Sequence, residues 1–132
     1  MRFSRTSEYA LKVFIQLVNS DQDVVSVKAL SQHLNIPYKY LAALMRRLAN
    51  AGFLTSLQGK NGGYRLSRPA GEIVIREIIN ELEGRDTTES CVLGTSDCGS
   101  HPPCPMHRHW QQVSSAMDKN IYSLTLAELA NQ

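Results

Sequence analysis

The sequence predicts a mainly α fold with a small β-hairpin wing: a winged helix-turn-helix DNA-binding domain followed by a long C-terminal dimerisation helix. Three observations carry this expectation. Two short amphipathic helices meet at a tight turn, Asn35-Ile36. A glycine-rich basic hairpin follows them between Phe53 and Arg68. Apolar residues then recur at intervals of 3, 4, 4 and 3 from Trp110 to Leu124, a heptad-like seam.

In chain order, Ala10, Val13, Phe14, Leu17 and Val18 fall on one face of a helix over roughly 6–19. Ser26 is placed to cap a second helix with Val27, Leu30 and Leu34 inward. Pro37 suits the first position of a third helix, with its φ already helical. Leu41, Leu44, Met45 and Leu48 form its buried stripe, and Gly52 stops it. Two helices joined this way make a helix-turn-helix.

The period then changes. Phe53–Leu57 and Tyr64–Ser67 read as paired strands, and Asn61-Gly62 is a hairpin signal because both residues tolerate φ > 0. Ile75, Ile78, Ile79 and Leu82 build a fourth helix that closes near Gly84. Pro105 opens a last helix of about 18 residues with Trp110, Val113, Met117, Ile121 and Leu124 as the dimer seam. Thr125–Ala130 adds a short terminal turn. The expected organisation is a DNA-binding domain over 1–84, a cysteine-rich loop over 85–104, and a dimerisation helix and tail over 105–132.

Charge is asymmetric. Residues 1–76 hold eleven Lys/Arg against four acids, a net +7, whereas residues 77–132 carry a net −5. A basic first half suits a polyanion, because neutralising phosphates releases counterions. No apolar run approaches the ~18 residues of a membrane helix. The N-terminus leads into an amphipathic segment rather than a signal peptide. The expected setting is the cytoplasm, where thiols stay reduced.

In a helix-turn-helix, residues near the start of the second helix reach base edges in the major groove. Tyr38, Lys39 and Ala42, with Tyr40, are therefore the candidate base readers. Arg46 and Arg47 lie farther along and suit phosphate contacts, which position without specifying. Lys60 at the wing tip suits a narrow minor groove, flanked by Arg65 and Arg68. Double-stranded DNA is the expected partner, with no small-molecule substrate.

Cys91, Cys98 and Cys104 are the only cysteines, and all lie within one loop without apolar periodicity. Three thiols there make a candidate metal or iron–sulphur site. His107, three residues beyond Cys104, is a candidate fourth ligand; His101 and His109 are weaker ones. A closed Cys₃His zinc site needs the same residues, and spacing does not separate the two. Neither a phosphate loop nor G-x-S-x-G is present. A cysteine nucleophile needs one thiol, not three. An enzyme is therefore not expected.

Met1-Arg2-Phe3-Ser4 with Glu8-Tyr9-Ala10, the wing Gly59-Lys60-Asn61-Gly62-Gly63-Tyr64-Arg65-Leu66-Ser67-Arg68-Pro69, and three cysteines before a long helix together resemble the IscR/NsrR (Rrf-type) regulators over nearly the whole chain. The resemblance implies a homodimer on palindromic operators, with an iron–sulphur cluster (2Fe–2S or 4Fe–4S) governing DNA affinity. It also favours iron–sulphur over zinc. Cys104-Pro105-Met106-His107-Arg108-His109-Trp110 is similar to the C-x2-H-x2-W pattern in which that His is a ligand. The NsrR branch can instead supply an Asp at position 8 from the partner subunit. Here that residue is Glu8, the alternative fourth ligand.

Overall fold

The computed structural model describes residues 3–84 and 105–131. The chain forms two compact units, Met1–Ile73 with Thr125–Gln132, and Val74–Leu124.

The first unit begins with α1, Arg5–Asn19. Ser4 caps it by accepting the Ser7 N–H at 3.2 Å. Ala10, Val13, Phe14 and Leu17 are buried as their period requires, while Val18 is half-buried. In α2, Val27–Leu34, the Ser26 hydroxyl accepts the Ala29 N–H at 3.1 Å. Only Leu30 is buried in α2; Val27 and Leu34, expected inward, are half-buried. A helix of two turns sets one residue fully into the core and leaves its ends at the margin.

Asn35 then takes a left-handed φ of 56°. Ser31 closes the turn by donating its hydroxyl to the Ile36 carbonyl at 2.6 Å. α3 spans Tyr38–Asn50. Pro37 is not its first residue, as expected, but its N-cap, because its ψ of 132° is extended. Its carbonyl still accepts the Leu41 N–H at 3.0 Å. Leu41, Leu44, Met45 and Leu48 are buried. The helix ends in a Schellman motif: Phe53 N–H reaches Leu48 O and Gly52 N–H reaches Ala49 O, both at 3.0 Å. Gly52 supplies the φ of 92° that this geometry needs.

The wing pairs β1, Leu54–Leu57, with β2, Gly63–Leu66, in antiparallel register from Leu54↔Leu66 to Leu57↔Gly63. Its turn corrects the expectation for Asn61-Gly62. The positive φ values fall at Gly59 (108°) and Gly63 (153°), and Asn61 has none. The Gly62 N–H closes the turn on Gly59 O at 3.0 Å. Gly62 is required for space instead: a Cβ there would lie 2.2 Å from the Leu57 carbonyl oxygen. On its other side β2 bridges to Val25, with Val25 N–H to Tyr64 O at 3.0 Å and Tyr64 N–H to Val25 O at 2.9 Å. Gly63 permits this approach, since a Cβ there would lie 2.3 Å from Val25 O.

A 3-10 turn, Ala70–Glu72, leads to buried Ile73. The chain terminus completes this unit. The segment expected as a terminal turn is α6, Leu126–Ala130, capped by the Thr125 hydroxyl. α6 packs on α1 and on the 3-10 turn. Leu126 is fully buried, and its N–H donates to Ile73 O at 2.9 Å.

The second unit contains α4, Ile75–Glu83, which buries Ile75, Ile78, Ile79 and Leu82 and ends at Gly84 with a φ of 84°. α5 runs His107–Met117 and passes into a π-helical turn, Asp118–Tyr122. The last helix thus starts two residues after Pro105, and its α-geometry stops at Met117. The wider turn adds a residue per repeat, so Tyr122 is 1% exposed while Ile121 is 40% exposed. The turn packs on α4. There Arg76 pairs with Asp118 and lies over the Tyr122 ring at 5.8 Å. The Ile75 N–H donates to Leu124 O at 2.8 Å.

The two glycine environments give a direct test. Gly63→Ala forces a backbone overlap and is expected to cost more than about 1 kcal/mol in denaturant unfolding. Gly71→Ala meets open space and should stay within about 0.5 kcal/mol of wild type. Equal stabilities for the two variants would contradict the close approach of β2 to Val25.

Candidate nucleic-acid interface

The start of α3 stands out from the first unit. Tyr38 is 55% exposed, Lys39 is exposed and Ala42 is half-buried. Arg46 and Arg47 are exposed farther along α3, and Lys60 is exposed at the wing tip. Helix and wing therefore present their cations to solvent from one compact unit.

Two candidate residues have protein partners that the sequence did not reveal. The Tyr40 hydroxyl hydrogen-bonds the Thr6 hydroxyl of α1. Its ring meets Tyr9 edge-on, with centroids 5.4 Å apart and planes at 87°. Arg65 of β2 pairs with Asp23 at 3.5 Å. Arg68, the other cation flanking the wing, lies over the Phe53 ring at 5.8 Å. These pairings join residues 15 to 42 positions apart in three-dimensional contacts, which periodicity does not register.

Of the candidate ligands, Cys91, Cys98 and Cys104 lie outside the described residues, as does His101. His107 is the first residue of α5 and is half-buried; His109 is exposed. Glu8 sits half-buried in the first turn of α1. Among the described residues no group of three His, Cys, Asp or Glu comes together. The donor chemistry fits an iron–sulphur group: three thiols and one imidazole fall within residues 91–107 of the sequence.

Along the seam, Trp110 is buried, Val113 is 52% exposed, Met117 and Leu124 are half-buried and Ile121 is exposed. Among the described residues no helix is long and apolar enough to cross a membrane.

A helix-turn-helix with an exposed basic second helix and a basic glycine-rich hairpin defines a winged-helix DNA-binding protein. Residues 3–132 match the Rrf2 family, described as iron-dependent transcriptional regulators. The chain belongs to that family and is a winged helix-turn-helix transcriptional regulator. It is 29% identical to the HTH-type transcriptional regulator IscR of Cronobacter sakazakii, over 99% of this chain and 81% of that protein. It is 28% identical to protein rrf2 of Nitratidesulfovibrio vulgaris, over 98% of this chain and 87% of the relative. The structure of CymR, described as the global cysteine regulator of B. subtilis, superposes with a TM-score of 0.80. It is 28% identical and covers 99% of this chain and 97% of its own.

The Arg65–Asp23 pair yields a prediction. A carboxylate beside a wing cation competes with DNA phosphate for it, and an exposed pair of this kind is worth at most about 1 kcal/mol. Asp23→Asn should therefore raise affinity for scrambled duplex up to about fivefold and steepen the log–log salt slope by about 1. Fluorescence-anisotropy titrations at several salt concentrations measure both. The gain should vanish in an Arg65→Gln background; its persistence there would mean that Asp23 acts on DNA without Arg65.

Proposed function

We propose that the protein acts as a homodimer on palindromic operators, with DNA affinity governed by an iron–sulphur cluster held by Cys91, Cys98, Cys104 and His107. The observation that carries this reading is the gathering of three thiols and His107 between α4 and α5 in a chain of a family described as iron-dependent. Gly84 ends α4 just before this interval and His107 opens α5 just after it. Ligation would therefore tie together the ends of both helices. When bound, the cluster supplies chemistry that responds to redox state, nitric oxide or iron–sulphur supply. The partner's Glu8 is the alternative fourth ligand.

For the DNA face, Tyr38, Lys39 and Ala42 read base edges, Arg46 and Arg47 hold phosphates, and Lys60 and Arg65 extend the contact from the wing. A two-fold dimer places its recognition helices on half-sites about one helical turn apart. The dimer face is the outward part of the seam, Val113, Met117 and Ile121, since Trp110 is buried within its own chain. Val113 and Ile121 are exposed and Met117 is half-buried, so covering them stabilises by part of the roughly 1.5–3 kcal/mol that full burial gives each side chain. Cluster state changes operator affinity only if it is bound differently by two arrangements of the dimer.

A second reading is favoured by the CymR likeness: a regulator of this family that works without a metal. Zinc on the same three cysteines and His107 is a third occupant. Protein purified without oxygen distinguishes them. Iron with acid-labile sulphide supports the cluster, one zinc per colourless chain supports the closed tetrahedral site, and neither metal supports the metal-free regulator.

Under the cluster reading, each of Cys91→Ala, Cys98→Ala and Cys104→Ala should bleach the visible absorption and reproduce apo-protein DNA binding. His107→Ala should retain a more labile cluster; if Glu8→Ala does so instead, the fourth ligand crosses the dimer. Met117→Glu places a charge in the seam and should yield monomers with lost operator binding, read by sedimentation and gel shift. A Met117→Glu variant that sediments as a dimer places the interface elsewhere. Arg46→Ala should weaken binding to every duplex and lower the salt slope by about 1.

A further inference from the structure

The first turn of α3 has no side-chain cap. Pro37 occupies the N-cap of α3 and makes no side-chain cap hydrogen bond. Proline offers neither a side-chain acceptor nor an N–H. Tyr38 and Lys39, the first two helical residues, are exposed. Yet these are the positions from which a helix-turn-helix reads bases, and a reading helix must be held in a fixed register.

Tyr40 supplies an attachment. Although 39% exposed, it turns back to α1. Its hydroxyl hydrogen-bonds Thr6, and its ring meets the Tyr9 ring edge-on. The Lys12 ammonium lies 6.0 Å from the centroid of the same Tyr9 ring. α1 itself is firmly seated, with Ala10, Val13 and Phe14 at 0% exposure. A hydrogen bond and an edge-to-face contact thus link the least capped turn of α3 to a rigid helix. An edge-to-face contact is directional, so the two together fix both the height and the rotation of the α3 start.

We propose that Tyr40 is a positioning residue for DNA recognition: through Thr6 and Tyr9 it sets the orientation in which Tyr38, Lys39 and Ala42 meet the bases. It does not itself read a base.

The test uses full-length protein and a duplex selected by the wild type from a random-sequence library. Tyr40→Phe keeps the ring and removes the hydroxyl; Thr6→Val removes the hydroxyl's partner and keeps the shape. Each is expected to weaken binding to the selected duplex by about two- to tenfold. The double variant should be no weaker than either single one, because both remove the same bond. Thr6→Ser should restore wild-type affinity. Discrimination against single-base changes should fall at several positions under α3 rather than at one. The proposal is overturned if Thr6→Val binds as wild type while Tyr40→Phe is weakened. Multiplying losses in the double variant would overturn it too. So would a lower melting temperature with unchanged base discrimination, which marks a purely structural contact.

Discussion

The winged-helix unit depends on the backbone of β2 lying directly against Val25. Two reciprocal hydrogen bonds between Val25 and Tyr64 make the contact, and it exists only because Gly63 carries no side chain to strike the Val25 carbonyl. The consequence reaches well beyond the wing. Val25 lies immediately before Ser26, the residue that caps α2. The hairpin is therefore bonded to the start of the helix-turn-helix as well as following its end. A two-stranded hairpin alone is marginal in water; this bridge gives the short sheet a third backbone partner. With the wing fixed at both places, Lys60 and Arg65 are carried on the same frame as Arg46 and Arg47.

The same unit is closed by residues far away in sequence. α6 comes from the chain's last residues, yet Leu126 is fully buried and its backbone bonds to Ile73. The first and last helices pack together, so the winged-helix unit is assembled from two separate stretches of chain. Between them, the second unit has its own polar fastening. The π-helical turn brings Asp118 and Tyr122 to Arg76, which engages one by charge and the other through its ring face. Buried Tyr122 rather than Ile121 is the product of that turn, and it leaves Ile121 facing outward next to an exposed row that includes Val113.

Much of this was legible in the residue pattern. Helical periodicity located α1, α3 and α4 with their buried stripes, because large apolar side chains at intervals of three and four have one place to go. Ser26 and Gly52 marked boundaries by chemistry that is local to a few bonds. Elements governed by distant contacts were not legible in this way. Asn61-Gly62 suggested a tight turn with two left-handed residues, but Gly62 and Gly63 are demanded by carbonyls of Leu57 and Val25. A glycine chosen for space looks, in sequence, like one chosen for φ. The terminal helix runs on from His107 to Tyr122 but changes pitch after Met117: a 3-4-4-3 spacing presumes a constant α pitch, and nothing in the spacing marks the wider turn. Tyr40, a candidate base reader from its place on α3, also engages Thr6 and Tyr9, a long-range pairing that helix geometry alone does not disclose. The cysteine loop stood out because three thiols in a stretch with no core-forming pattern need a reason other than packing.

Charge offers the sharpest case of what a sequence total conceals. Residues 1–76 carry a net +7, which taken at face value suggests a surface ready to neutralise many phosphates. Several of those cations already have work inside the fold. Arg65 faces Asp23, Arg68 lies over Phe53, Arg76 meets Asp118, and Lys12 lies near the Tyr9 ring. Non-specific DNA affinity and its salt dependence scale with the number of phosphates engaged, with a slope near −0.9 per contact. Cations held by protein partners contribute less to that number unless DNA displaces the partner. The exposed Arg65–Asp23 pair is weak enough for such displacement, whereas the Arg76–Asp118 pair is shared with a buried ring. The fold thereby engages part of its positive charge in contacts of its own. A regulator that must distinguish one operator from an excess of other sequences gains when part of its positive charge is engaged internally, because that lowers sequence-independent attraction.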